Sequence, residues 1–317
     1  MTIPFALRLH GARRPALALL AAASALTLLS SLPASAFSVY GNVFDGSGAL
    51  DVQATLQNTA RWSPEPLDGA GLHDGIQVGV EPGFAENLGA STPEEVALVE
   101  AAVVAGFQAW ENPVLSFDVT FDASVEDGPG GFEIDLFAVD GGSGYGVAFG
   151  WAGFGAEFVP NRLLTNGQRY DGHVITDADM FLNYTNVAWF LAQNPGLTEE
   201  EKLAALQRLV MHEAGHTLGL SHPTVDPYQF DTDLDPLNEM EIDPSDPFSE
   251  LRVSPNFDLD AIMSGLNYGS SVEALFFTEL RPDDRGGRDA LYPVPEPATL
   301  LLLGIGCAAL AGARQRS

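Results

Sequence analysis

Apolar residues in this chain recur at two spacings, and the spacing changes several times. Residues 75–80, 115–121 and 132–139 alternate apolar with polar side chains, the period-two pattern of strands. A glycine-rich run at 145–151 reads as a more exposed strand, and residues 173–183 as a strand centred near Met180. Between these the period lengthens. Thr92-Pro93-Glu94-Glu95 forms a capping box with proline at the first helical position. Val96, Val99, Val103, Phe107 and Trp110 follow at helical spacing, and Asn112-Pro113 ends the run. A second capping box, Thr198-x-x-Glu201, opens a helix lined by Leu203, Leu206, Leu209, Val210 and Leu218 and closed by Gly219. Residues 283–292 predict a short closing helix with Pro282 in its first turn, although Gly286 and Gly287 weaken it. Residues 37–74 show few periodic signals, and no internal repeat is present. The mixture predicts an α+β fold with one long helix and a short C-terminal helix.

Both ends depart from this pattern. Arg8, Arg13 and Arg14 precede an apolar run from about Pro15 to Leu29, and Ala34-Ser35-Ala36 follows as a cleavage site. This predicts a secretory signal peptide over 1–36, with the exported chain starting near Phe37. At the other end Val294-Pro295-Glu296-Pro297 precedes an apolar stretch over 298–313 and the basic end Arg314-Gln315-Arg316-Ser317. The order of these parts resembles the PEP-CTERM sorting signal of Gram-negative bacteria. That resemblance implies transient anchoring in the inner membrane, recognition by an exosortase-type enzyme, and release to the cell surface or exterior. A plain C-terminal membrane anchor is the alternative. One domain over 37–293 remains, long enough to bury a sizeable core.

Composition narrows the surroundings of that domain. Its 9 basic and 42 acidic residues give a net charge of −33. Nucleic acid and anionic membrane surfaces are poor partners for such a surface. The only cysteine, Cys307, lies in the C-terminal apolar stretch, so the domain carries no disulfide. Residues 223–260 hold 11 acids, one base (Arg252) and six prolines, which marks an irregular acidic insertion. Asp231-Thr232-Asp233-Leu234-Asp235 could supply oxygens to a structural Ca²⁺, but this is no EF-hand. Pro236 replaces the turn glycine, and Ile242 stands where the bidentate glutamate belongs. A solvated acidic loop fits the same composition.

The second helix carries the chemistry. It ends in His212-Glu213-Ala214-Gly215-His216-Thr217-Leu218-Gly219-Leu220-Ser221-His222. His212 and His216, four apart, project from one face of a helix. Gly219 lets the chain turn, so that His222 can return as a third ligand. Three imidazoles leave the fourth tetrahedral position of a Zn²⁺ open, the arrangement of a catalytic rather than a closed structural site. Glu213, about 100° around the helix from His212, is placed to reach a water on that metal.

Downstream lies Ala261-Ile262-Met263-Ser264-Gly265. With the histidine motif it resembles the metzincin zinc endopeptidases, whose zinc motif is followed by a methionine turn. Within that clan the chain is most similar to the matrixin and serralysin branch. Leu280-Arg281-Pro282-Asp283-Asp284 and Leu291-Tyr292 resemble the matrixin closing helix, and His222-Pro223 resembles serralysins. Gly265 stands where serralysins and astacins have a tyrosine, so no tyrosine ligand is expected there. The serralysin calcium repeats are absent. Only His73 and His173 remain for the matrixin structural zinc, and no cysteine is available for a cysteine switch. The resemblance implies a mixed twisted β-sheet with a long zinc-binding helix, a methionine turn and a short C-terminal helix, and peptide-bond hydrolysis of a protein or peptide substrate. Zinc would be held by His212, His216 and His222, Glu213 would act as general base on the zinc-bound water, and Met263 would lie beneath the metal. It also implies that substrate lies extended along residues 145–151. The rival expectation is an exported surface or biofilm-matrix protein that keeps the fold without turnover. A hydrolase acting on a non-peptide bond is a third.

Overall fold

A computed structural model describes residues 36–40, 46–48, 51, 54–55, 58–72, 74–125, 131–141, 149–222, 229–231, 252–254, 260–264 and 276–295. Residues 1–35, which hold nearly all of the expected signal peptide, the apolar segment at 298–313, His73, Gly265 and most of the acidic insertion lie outside these residues. Among the described residues no helix is long and apolar enough to cross a membrane.

The chain forms nine described strands: β1 (Ala36–Val39), β2 (Ile76–Val80), β3 (Phe117–Thr120), β4 (Ile134–Val139), β5 (Gly150–Leu163), β6 (Arg169–Asn183), β7 (Leu220–Ser221), β8 (Gln229–Asp231) and β9 (Arg252–Ser254). Its helices are α1 (Phe84–Asn87), α2 (Pro93–Gln108), α3 (Tyr184–Gln193), α4 (Glu199–Thr217) and α5 (Pro282–Leu291). A mixed five-stranded sheet has the order β3-β2-β4-β6-β5, parallel except for β5, which runs antiparallel to β6 at one edge. The architecture is therefore α+β with a mixed sheet.

The two capping boxes form as the sequence requires. Thr92 accepts from the Glu95 amide and Thr198 from the Glu201 amide, while each glutamate reaches back to its cap residue. Helix α2 then lays Val103 and Phe107 against α4 and the sheet, with Trp110 following just beyond its end. Ile76, Val78, Val80, Ile134, Leu136, Met180 and Leu182 supply the sheet side of this core. Gly106 sets the distance between the helices, because a Cβ there would lie 2.6 Å from Val210 Cγ1. The closing helix α5 forms despite its two glycines. Gly287 is buried in it, and Tyr292 at its end is fully buried.

Three expectations change. Of the strand expected at 145–151, residues 145–148 lie outside the described set, and Gly150 and Trp151 open β5, which runs on to Leu163. Glycines at 150, 153 and 155 erase the side-chain alternation that would have announced it, and Pro160 reads as a break. Proline is tolerated on an edge strand. Register shifts at Gly155/Ala156 and Val159/Arg162 bend β5 on either side of that region. Residues 37–74, which show few periodic signals, hold all but the first residue of β1. The acidic insertion is not wholly irregular either: β8 and β9 pair antiparallel, and β8 also pairs with β1. Together they form a second sheet of order β7-β1-β8-β9. Of the calcium candidates only Asp231 lies in a described segment, within β8.

Candidate metal centre

Helix α4 runs into the core, and every side chain from Arg208 to Thr217 is buried. Such a helix end must satisfy its last carbonyls internally. Trp62 Nε1 donates to Thr217 O at 3.0 Å and the Tyr292 hydroxyl to Leu218 O at 2.9 Å. Further back along the helix, Trp110 Nε1 donates to Met211 O at 2.8 Å. Gly219 follows at φ 94°, in the left-handed region, and a Cβ there would strike the Ala60 carbonyl oxygen. Glycine is therefore required twice over. The turn it makes leads into β7 and carries His222 back over the helix.

The three histidines expected from the sequence come together. His222 Nε2 lies 2.8 Å from His212 Nε2 and 3.0 Å from His216 Nε2. The other ring nitrogens explain why. His212 Nδ1 lies 2.7 Å from Ile262 O, and His216 Nδ1 lies 2.8 Å from Leu220 O. A carbonyl can only accept, so both Nδ1 atoms carry the proton and both Nε2 atoms present lone pairs. His222 can donate one proton to one of them, never to both. Three convergent imidazole nitrogens with at least two lone pairs facing inward are a donor set for a cation of the zinc type. No other group of three potential ligands is brought together among the described residues.

The electrostatics agree with neutral ligands. Burial, with the neighbouring imidazoles adding to it, holds His212 well below the ordinary histidine range. Burial and then His222 lower His216 to about 3, and burial lowers His222. Burial also pushes the Glu213 carboxyl up to about 8. Glu213 lies beside the start of the edge strand: a Cβ on Gly150 would stand 2.9 Å from Glu213 Oε1.

Met263 is buried in a short 3-10 turn, Ile262–Ser264, beneath the helix. Gly215 makes room for it, because a Cβ at 215 would overlap Met263 Sδ. Asp284 of α5 holds this turn. Its carboxylate accepts from the Ile262, Met263 and Arg281 amides at 2.8, 3.0 and 2.9 Å. From α4, Arg208 donates to Ala261 O at 3.0 Å. Ile262 is thus fixed at its amide while its carbonyl fixes His212.

Sequence reasoning did not assign roles to four groups that touch the site. Gly150 has no side chain to contribute to a pattern, and Arg208 is a polar residue on a helix announced by its leucines. Asp284 was visible within the run that resembles the matrixin closing helix, but with no role attached to it. Tyr40, whose hydroxyl stands 3.0 Å from His216 Nδ1, comes from a segment with no periodic signal. Burial, and secondarily the Glu213 charge, raise its phenol to about 12, so it stays protonated. His173, the one described histidine outside the cluster, packs edge-on against Phe158 on the β5–β6 pair.

No curated protein matches the chain. One family model does: the PEP-CTERM protein-sorting motif matches residues 293–317. The chain therefore carries the signal for export through the envelope of a Gram-negative bacterium, for recognition by an exosortase-type sorting enzyme, and for a surface or extracellular location.

Proposed function

We propose that the chain is an exported zinc metalloendopeptidase of metzincin type, most similar to the matrixin and serralysin branch. The observation that carries this reading is the convergence of three Nε2 atoms beside a buried glutamate, with two of their tautomers fixed by backbone carbonyls. His212, His216 and His222 would hold the metal. When bound, zinc supplies Lewis-acid polarisation of the scissile carbonyl and acidifies the attacking water.

The protein's own groups do the rest. Glu213 takes the water proton on a carboxylate oxygen and delivers it to the departing amine nitrogen. Its low-dielectric pocket raises its proton affinity, which suits a group that must take up and release a proton near neutral pH. Strand β5 supports substrate. It ends the five-stranded sheet, so its outer edge offers backbone donors and acceptors to an extended peptide. Gly150 brings that edge against Glu213. The acidic surface of the domain repels anionic polymers, which disfavours nucleic acid as a substrate.

Two measurements test this. Metal analysis of the protein purified from its exporting host should give one zinc per chain, and the loaded protein should cleave an unstructured substrate such as casein. Bound zinc with no cleavage of any protein would favour the non-catalytic surface protein, and no bound zinc would remove the basis of the proposal. A finer test addresses the edge. Gly150→Ala should displace the Glu213 carboxylate while leaving the three histidines in place. Cleavage should fall roughly 10–100-fold with zinc stoichiometry unchanged. Wild-type turnover in this variant would separate Glu213 from the edge strand.

A further inference from the structure

Tyr40 touches a metal ligand from outside the zinc motif, and every polar atom of the residue that can be fixed is fixed. Its amide donates to Gly219 O at 3.4 Å, and its carbonyl accepts from the Thr59 hydroxyl at 3.0 Å. Its ring packs edge-on against Phe154 of β5, with centroids 5.7 Å apart, and lies 5.8 Å from the His216 ring. The backbone leading to it belongs to the same frame. Ser38 and Val39 pair with Ser221 and Leu220, so β1 braces the short strand that carries the carbonyl partner of His216 and leads into His222.

We infer that Tyr40 is a positioning residue of the metal centre, and that β1, the first described segment of the chain, completes the site by presenting it. The inference rests on the metal reading proposed above. The Nδ1–H of His216 already donates to Leu220 O at 2.8 Å. The Tyr40 oxygen at 3.0 Å is a second acceptor for the same hydrogen. Two acceptors restrict rotation of the ring more than one does. They also draw the proton from Nδ1 and enrich the lone pair on Nε2, which makes the imidazole a stronger donor. Partners of this kind typically change metal affinity by about 10–100-fold. Because the hydrogen is shared and Tyr40 is 37 % exposed, the lower end applies.

The test is a zinc titration of the full chain, purified from its exporting host and stripped of metal, in competition with a chromophoric chelator. Tyr40→Phe keeps the ring against Phe154 and removes only the hydroxyl. It should bind zinc about tenfold more weakly while its metal-free unfolding temperature stays that of the parent. With Co²⁺ in place of zinc, its visible bands should shift relative to the parent. Equal affinities for parent and variant would overturn the inference. So would a loss of affinity matched by a loss of metal-free stability, which would assign Tyr40 to packing alone. A parent that binds no zinc would instead remove the metal reading, a result distinguishable from either. Should Tyr40→Phe fail to fold, Tyr40→His, which retains a ring and a polar atom, should restore folding and part of the affinity; folding without any gain in affinity would also overturn it.

Discussion

Glu213→Gln will keep its zinc and lose about 10³-fold in peptide cleavage, the middle of the range for removing a general acid–base group. The substitution preserves shape in a site where the side chain is 4 % exposed, so the fold and the three histidines should be undisturbed. What it removes is the ability to accept a proton. The same variant has a second signature in the metal-free protein. Burial raises the Glu213 carboxyl to about 8 from an ordinary 4.5. Between those values the folded state keeps a proton that the unfolded chain has released. Stability is therefore lost as pH rises through that window, and the penalty is complete above about 8, on the order of 5 kcal/mol. Glutamine carries no such penalty. Denaturation of the metal-free proteins should show the variant gaining on its parent from about pH 5 to pH 8 and level with it below pH 4. A bound cation would favour the carboxylate, so loading with zinc should shrink this difference. Wild-type cleavage by the variant would refute the general-base role. A pH-independent stability difference would refute the burial argument.

The parts of this molecule that were legible in the sequence share one property: their side chains repeat at the period of their backbone. The capping boxes at Thr92 and Thr198 mark helix starts because Thr and Glu satisfy the same orphan amides wherever they occur. His212, His216, Gly219 and His222 lie within eleven residues, so local geometry alone brings them together. Strand β5 was illegible from 152 onward because three of its first six residues are glycine. Strand β1 was illegible because four residues carry too little pattern, and its partners Leu220–Ser221 and Phe230–Asp231 lie far downstream of it. Tyr40 and Asp284 fall in the same class. Each acts on a residue 21 to 176 positions away, and no short-range spacing encodes such a contact. Arg208 lies four residues before His212 on one helix, yet its target, Ala261 O, is 53 residues downstream. The chemistry of the site was thus local, and the frame that orients it was not.

That frame yields the second large effect. Asp284→Ala removes one buried carboxylate on which three backbone amides converge, those of Ile262, Met263 and Arg281. A methyl group offers none of them an acceptor, and water has no path to a side chain that is 1 % exposed. Each orphaned buried amide costs about 1–3 kcal/mol. Burial itself raises the Asp284 carboxyl against the pull of those amides and of Arg208, so relief of that desolvation offsets part of the sum. The net expectation is a loss of about 3–5 kcal/mol, the scale of breaking a buried charged network. The effect should not stop at stability. Ile262 loses the bond at its amide, and its carbonyl is what holds His212 at 2.7 Å. Zinc affinity should fall about 10–100-fold under conditions where the variant is still folded. Asp284→Asn makes the argument specific. Its single carbonyl oxygen can serve the Oδ2 position, which takes the Ile262 and Arg281 amides, but its NH₂ then faces the Met263 amide. Asparagine should therefore restore part of the stability and most of the zinc affinity, because the Ile262 bond survives while the Met263 bond does not. Thermal unfolding with and without zinc, run on both variants, reads the two quantities separately. If alanine and asparagine lost stability and zinc affinity in equal measure, Asp284 would support the fold without orienting His212.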